Sequence, residues 1–465
     1  MNLLRYWNDL AQRLVADDHT GSPIPGNQAG PTHTSYALAL LHLSMHDALA
    51  GIDGTFAAYA TAPVAAPAGA DADQAICGAM DHMARELYPS HTGTIATAYD
   101  TARTVLGVGG LPPTTSEKYG IKCAQALIVQ RQNDGSSAFK SYQYEPDPGA
   151  HRPDPHSPGQ QVLGPEWGDV TPFTYQGAHP PLKALPSLQS QEYLAAYNEV
   201  YSDGRDDIPR RDPQKAMMGI FWGYDGAQKL GTPPRLYNQV VRTICDPLNL
   251  SPKDETRLYA LVNVGMADAG IACWHHKYVF NFWRPVVAIR EAAFGAGPSG
   301  LGDTFKRTAG DPFWCPLGAP DTNGNRPRNF TPNFPAYPSG HSTFGTTCFL
   351  LLAEFLGKHA KDIKFEFVSD EFNGISRDST NVIRPRLRRW FTLAQAIQEN
   401  ADSRIYLGVH WKFDAVQGMK LGEALVPKVY AKMGQPKAPK AKTIAKAATP
   451  APAPQATPGW RDPHR

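Results

Sequence analysis

Apolar positions along this chain recur at the three-and-four spacing of helices and almost never in strict alternation. Residues 1–15 carry an amphipathic helical pattern that stops near Asp17 and Asp18, and a Gly/Pro loop follows over 21–31. Residues 35–49, SYALALLHLSMHDAL, read as a strongly apolar helix, and helical patterns continue through 72–87, 92–105 and 116–132. From 142 to about 185 the pattern fails, because Pro and Gly are too frequent for regular structure. Val162, Leu163, Trp167, Val170 and Phe173 argue that this segment is an ordered wall. Helices resume at 190–201, 213–229, 235–245 and 251–270, and an apolar stretch over 271–293 follows directly. After further loops, 343–356 is long and apolar enough for a helix ending near Gly357, and 365–400 reads as mixed helix and loop. Strand signals are scarce, so the fold class expected is all-α with long Pro/Gly-rich loops. Beyond Met433 the composition turns to Ala, Pro and Lys. The expected division is a helical domain over 1–435 and a disordered tail over 436–465.

Composition changes this picture little. The 465 residues carry a net charge of +2, and basic side chains do not cluster as a nucleic-acid footprint requires. The group Arg384, Arg386, Arg388 and Arg389 reads as a solvated face. Six cysteines are scattered without a CxxC pair, which speaks against a disulfide framework and against a zinc finger. Apolar runs such as 348–353 are far too short to span a bilayer, so no membrane partner is expected. The N-terminal stretch lacks the apolar core and small-residue cleavage site of a signal peptide. The default compartment is therefore the cytoplasm, with non-classical export left open.

Three stretches carry candidate chemistry. In FPAYPSGHSTF, residues 334–344, prolines forbid a helix up to Pro338 and an apolar run follows. Ser339, Gly340 and His341 should therefore occupy the first turn of a helix, where unpaired N–H groups and the positive dipole end favour a tetrahedral oxyanion. In 271–293, Lys277 and Arg284 are separated by seven positions, which on one continuous helix places them about 20° apart and about 10 Å along the axis. Trp274 lies one turn before Lys277 on the same side, and no acidic residue lies within a turn to pair with the cations. In ENADSRIYLGVHWKFDAVQG, Gly408 offers a break between a helix ending near Arg404 and one beginning near His410, and Asp414 could orient the imidazole. A fourth pattern, His42 and His46 one turn apart beside Asp47, has the spacing of a metal pair; two buried, hydrogen-bonded histidines are the simpler reading.

Taken together, Lys277-x6-Arg284-Pro285, Pro338-Ser339-Gly340-His341 and Ser403-Arg404-x5-His410 resemble the three-part signature of the vanadium-dependent haloperoxidases. The related bacterial acid phosphatases and type 2 phosphatidic acid phosphatases share that signature. The likeness is closest to fungal-type vanadium chloroperoxidases and extends through MADAGIACW, FWRPVVAIR, FVSDEFNGISRD and YDGAQKLGTPPRLYN, nearly to Met433. It implies two four-helix bundles in one domain, with the site at the end of one bundle, and a vanadate cofactor, one per chain. His410 would be the metal ligand, while Lys277, Arg284, Ser339, Gly340 and Arg404 hold the oxyanion. His341 would serve as acid–base residue toward hydrogen peroxide, which Lys277 polarises for attack by halide. Trp274 and Phe334 would line the halide pocket, an aromatic at 334 going with chloride as well as bromide and iodide oxidation. Asp225 would support Arg404. The hypohalous product would halogenate a small organic nucleophile, and a homo-oligomer is compatible with all of this. Two other readings stand beside it. One is an acid phosphatase with His410 as the nucleophile of a phosphohistidine intermediate, the other a non-catalytic oxyanion-binding protein.

Overall fold

The structure is a computed structural model, and it describes residues 2–20, 26–60, 64–207, 209–292, 310–324 and 328–433. The tail expected over 436–465 lies outside the described residues. Thirteen α-helices are present among the described residues, and the all-α expectation holds. The first five are α1 (Leu3–Asp18), α2 (Gly30–Asp53), α3 (Ala72–Leu87), α4 (Thr92–Val105) and α5 (Thr115–Arg131). Then come α6 (Gln191–Asp203), α7 (Pro213–Phe221), α8 (Pro233–Cys245), α9 (Pro252–Phe280) and α10 (Pro285–Glu291). The last three are α11 (Gly340–Phe355), α12 (Leu393–Tyr406) and α13 (Lys412–Met433).

The longest, α9, organises the rest. It opens on an Ser251 cap whose hydroxyl accepts from Asp254 N, with Pro252 in its first turn. Almost every side chain from Leu258 to Trp274 is buried, the signature of a helix covered on all sides. One side packs against α2, which in turn carries α3 and α5; the other packs against α11 and α13, with α8 and α12 outside α11. The two helical bundles thus share α9. Small residues bring α13 unusually close to α11. A Cβ on Gly418 would stand 2.6 Å from Ser339 O, and one on Gly422 would stand 2.9 Å from Thr346 Cβ. That approach sets the start of α13 beside the start of α11, and Ser339 N donates to Asp414 O at 3.0 Å.

Several expectations need correcting. Lys277 and Arg284 do not share one continuous helix. Helix α9 stops at Phe280 with Asn281 in the left-handed region at φ 50, and Arg284 is the extended cap of α10. Asn tolerates that turn, and Pro285 forces the residue before it out of the helical region. The helix expected over 213–229 ends at Phe221, because Tyr224 and Gly226 have φ of 43 and 82 and turn the chain into a strap. Within 365–400 lies a two-stranded antiparallel sheet, β1 (Lys364–Phe367) with β2 (Arg389–Thr392), Phe365 opposite Phe391. The basic cluster beside it is only partly a solvated face. Arg384 pairs with Glu371 at 2.7 Å, and Arg389 grips Glu399 through both terminal guanidinium nitrogens, Nη1 and Nη2. No described helix is long and apolar enough to cross a membrane.

Candidate active site

The ends of α9 and α12 and the starts of α10, α11 and α13 meet at one point. Ser339 caps α11, its hydroxyl accepting from Ser342 N at 3.4 Å, so Gly340 and His341 stand on the first turn. The N–H groups of that turn have no acceptor within the helix. A Cβ on Gly340 would meet Trp274 only at ordinary contact, 3.4 Å. Protein packing therefore does not demand glycine there, and Gly340 borders the cavity. Lys277, in the last turn of α9, donates to the carbonyls of Pro335, Ala336 and Pro338 at 2.8, 3.1 and 2.6 Å. Arg284 donates Nε to Phe334 O at 2.9 Å and Nη1 to Val409 O at 2.7 Å. The two cations thus converge through the loop 334–338 and not along a shared helix face. Phe334 covers both, with Lys277 Nζ 5.0 Å and Arg284 Cζ 4.7 Å from its ring centre, and Trp274 leans on Phe334 at 5.0 Å.

Arg404, in the last turn of α12, is held by Asp225 through two bonds of 2.7 and 3.0 Å. Gly408, at φ 73, separates α12 from α13 and lets His410 turn back toward it. His410 Nδ1 lies 3.0 Å from Asp414 Oδ2, and its Nε2 lies 3.0 Å from Arg284 Nη1. The guanidinium can only donate, so Nε2 carries the lone pair and Nδ1 the proton given to Asp414. His341 has the opposite tautomer: Nε2 donates to Gly223 O at 2.7 Å, and Nδ1 keeps the lone pair.

Burial governs the charges. It lowers His410 far below the ordinary histidine range, with Arg284 and Lys277 adding to the effect, and takes His341 down to about 3, with Arg404 adding. It lowers Lys277 to about 7 and Arg284 to about 9, and raises Asp414 to about 7. Neither Lys277 nor Arg284 forms an ion pair with a carboxylate among the described residues. Arg284 Nη2 and Arg404 Nε are buried without any hydrogen-bond partner. Three buried cations face two carboxylates, and donors are left over. A tetrahedral oxyanion fits this donor set, with His410 Nε2 offering a neutral nitrogen ligand.

Above the floor opens a cavity of about 220 Å³, reached by Gly340, His341, Arg404 and His410 and walled mostly by apolar side chains. The Pro-rich segment supplies part of the wall, as expected. Leu163 O accepts from both Trp274 Nε1 and Tyr278 Oη, and Trp167 and Phe173 are buried. Thr232 also lines the cavity, and its buried hydroxyl has no partner. Sequence reasoning missed Thr232, the Gly223 carbonyl and the wall residues Phe330 and Pro332. It also missed His151, a buried imidazole on Asn333 at 3.1 Å, driven down to about 3 by burial and by Arg284. The GTPP and YDG segments were in view, yet nothing in their spacing says which carbonyl or hydroxyl turns inward. His42 and His46 form no metal pair. His42 is satisfied by Leu38 O and by Asn8, and His46 by Asp47.

Residues 257–437 match the family model described as the second helical-bundle domain of vanadium chloroperoxidase. The chain is 32% identical to the vanadium chloroperoxidase of Curvularia inaequalis, over 89% of this chain and 79% of that one. A bacterial vanadium-dependent iodoperoxidase superposes with a TM-score of 0.71 at 21% identity, covering 95% of this chain and 99% of that structure. A holo-type bacterial vanadium-dependent chloroperoxidase does so with 0.64 at 14% identity, covering 92% and 97%; at these identities both show the fold. On its shared sequence, helical fold and ordered motifs, the chain belongs to the vanadium-dependent haloperoxidase family.

Proposed function

We propose that one oxyanion site per chain, formed by Lys277, Arg284, Ser339, Gly340, Arg404 and His410, holds vanadate, and that the enzyme oxidises bromide, iodide and chloride with hydrogen peroxide. The observation that carries this is the pair of buried cations without carboxylates, Lys277 and Arg284, set against a neutral His410 nitrogen. Bound there, vanadate supplies a Lewis-acidic centre that activates peroxide without changing oxidation state. Asp414 keeps the His410 Nε2 lone pair aimed at the cations by accepting the Nδ1 proton. Arg284, Arg404 and the first-turn N–H groups of α11 compensate oxyanion charge, Arg404 being fixed for this by Asp225. His341, its other nitrogen tied to Gly223 O, offers Nδ1 as acceptor for a peroxide proton and later returns that proton to the departing oxygen. Lys277 supplies positive charge in a water-poor corner, where Trp274 and Phe334 strengthen its pull on peroxide oxygen. That extra pull is what chloride, the harder halide to oxidise, requires. The product is a hypohalous species able to halogenate a small organic nucleophile. The test is to add vanadate to metal-free protein and follow peroxide-dependent bromination; its absence in any buffer rejects this reading. The same His410, Asp414 and cation set could run phosphoryl transfer through His410, so vanadate-free protein should show weak phosphatase activity lost in His410→Ala.

A further inference from the structure

Arg284 is aimed by backbone carbonyls, and the loop that carries one of them is short of ties of its own. Between Thr331 and Ser339 stand Pro332, Pro335 and Pro338, which have no N–H to anchor the backbone. The entry to this loop is fixed by the Pro-rich wall instead. Thr331 N donates to Asp154 Oδ2 at 2.8 Å. Asn333, 1% exposed, donates Nδ2 to Tyr144 Oη at 2.9 Å and to Gln160 O at 2.6 Å, and its carbonyl accepts from Leu163 N at 3.1 Å. With Nδ2 spent on two acceptors, Oδ1 is left facing His151 Nε2 at 3.1 Å, so the imidazole must donate from Nε2. The next residue is Phe334, whose carbonyl takes Arg284 Nε at 2.9 Å.

His151 also reaches the other side of Arg284. Its N–H donates to Asn281 O at 2.9 Å, Trp283 N donates to Gly149 O at 2.9 Å, and Ala150 bridges Phe282. The stretch 149–151 therefore runs beside 281–283, which leads straight into Arg284. One fully buried residue is tied by its backbone to the segment that carries the guanidinium, and by its side chain to the segment that carries the acceptor. Space filling does not account for a histidine here. Its Nδ1 is buried without a partner, a cost that an apolar side chain would avoid. Burial, with Arg284 adding, keeps the imidazole neutral, so it supplies a donor without a further positive charge beside two uncompensated cations. We propose that His151 and Asn333 are positioning residues for Arg284: the bond between them sets Phe334 O, and with it the direction in which the guanidinium meets an oxyanion held beside His410. Neither side chain touches the oxyanion itself. This rests on the oxyanion reading above.

The test is tungstate binding to the metal-free, full-length chain, read by calorimetry without peroxide. His151→Leu removes the donor and should weaken tungstate about 10-fold. His151→Gln can still donate to Asn333 Oδ1 and should stay within about 3-fold of wild type. Tyr144→Phe removes an acceptor of Asn333 from an exposed ring, a change the fold tolerates even if His151→Leu does not, and should weaken tungstate about 3-fold. The decisive arm repeats His151→Leu in an Arg284→Met background. There the loss should shrink below about 3-fold, because the group being aimed is gone. A merely structural role would lower the unfolding midpoint and weaken tungstate by the same factor in both backgrounds. Wild-type affinity in His151→Leu and Tyr144→Phe, or a His151→Leu loss undiminished by Arg284→Met, overturns the positioning role and leaves the oxyanion site standing. A wild type that binds neither tungstate nor vanadate sinks the oxyanion reading, and this inference with it.

Discussion

Buried cations occur in two settings in this molecule. Arg131 lies against Asp134 at 2.6 Å, with Tyr36 also donating to that carboxylate, and the partly buried Arg384 lies on the buried Glu371 at 2.7 Å. Burial alone would pull Arg131 down, but Asp134 outweighs it and leaves the guanidinium above its ordinary value. At the junction of α9, α11 and α13 the balance is reversed. Lys277 and Arg284 are equally buried, lean on backbone carbonyls and aromatic rings, and are left below their ordinary values by burial. Elsewhere the chain supplies its own counter-charge; here it withholds one. A buried cation without an anion is costly, and that cost is relieved when an anion arrives. Burial by itself therefore does not mark a site, as His42 shows. It too is pulled down, to about 4, yet both its nitrogens are satisfied by the protein.

The contrast breaks most sharply at the two site histidines. His341→Ala should keep the cofactor and lose about 10²- to 10⁴-fold in halide oxidation, measured by steady-state kinetics at saturating vanadate. Equal loss of cofactor in His341→Ala and His410→Ala would contradict the separate roles. The next effect concerns the paired cations. Arg131→Met leaves the buried Asp134 carboxylate without its cation, with only Tyr36 and Ser136 N as donors, and should cost about 3–5 kcal/mol in denaturant unfolding while the stabilisation by added oxyanion stays unchanged. In Arg284→Met the order is inverted, with oxyanion affinity falling about 10- to 100-fold. A smaller effect is protonic. With Lys277 at about 7 in the anion-free pocket, a bound oxyanion raises it again. The bound form then holds more protons above pH 7, so affinity should fall as pH rises through 7 to 9, by at most tenfold per unit from this group. Tungstate, which does not titrate in that range, gives the cleanest profile; a flat one means that Lys277 is already fully protonated without the anion. The smallest effect is in halide choice, where Phe334→His should lower chloride turnover relative to bromide.

Much of this was legible in the chain itself. Helices α3 and α4 fall at 72–87 and 92–105 as their periodicity predicts, because their buried faces are regular and their ends are marked by Asp71 and by polar turns. The junction of Arg404 and His410 was legible from Gly408, whose left-handed φ of 73 ends α12. The strap 222–226 was not, since a helix-like pattern ran through it. What bends it is the set of long-range ties from Ser369 Oγ to Phe221 O and from Asp370 N to Tyr224 Oη. Those ties aim Gly223 O at His341 and Asp225 at Arg404; the Asp225 partnership was implied by the family likeness, whereas the Gly223 carbonyl, set by distant partners, was not foreseen. The break after Phe280 belongs to the same class. Asn281 and Pro285 each weaken a helix, but only the loop 334–338 decides that Arg284 turns to meet Lys277.

The most direct measurement is the vanadium content of the purified chain, loaded with vanadate and washed free of excess, in wild type and in His410→Ala. The site predicts one vanadium per wild-type chain, displaced by excess phosphate, and almost none in His410→Ala. A wild type that retains no vanadium, or a His410→Ala variant that retains as much as wild type, would contradict it.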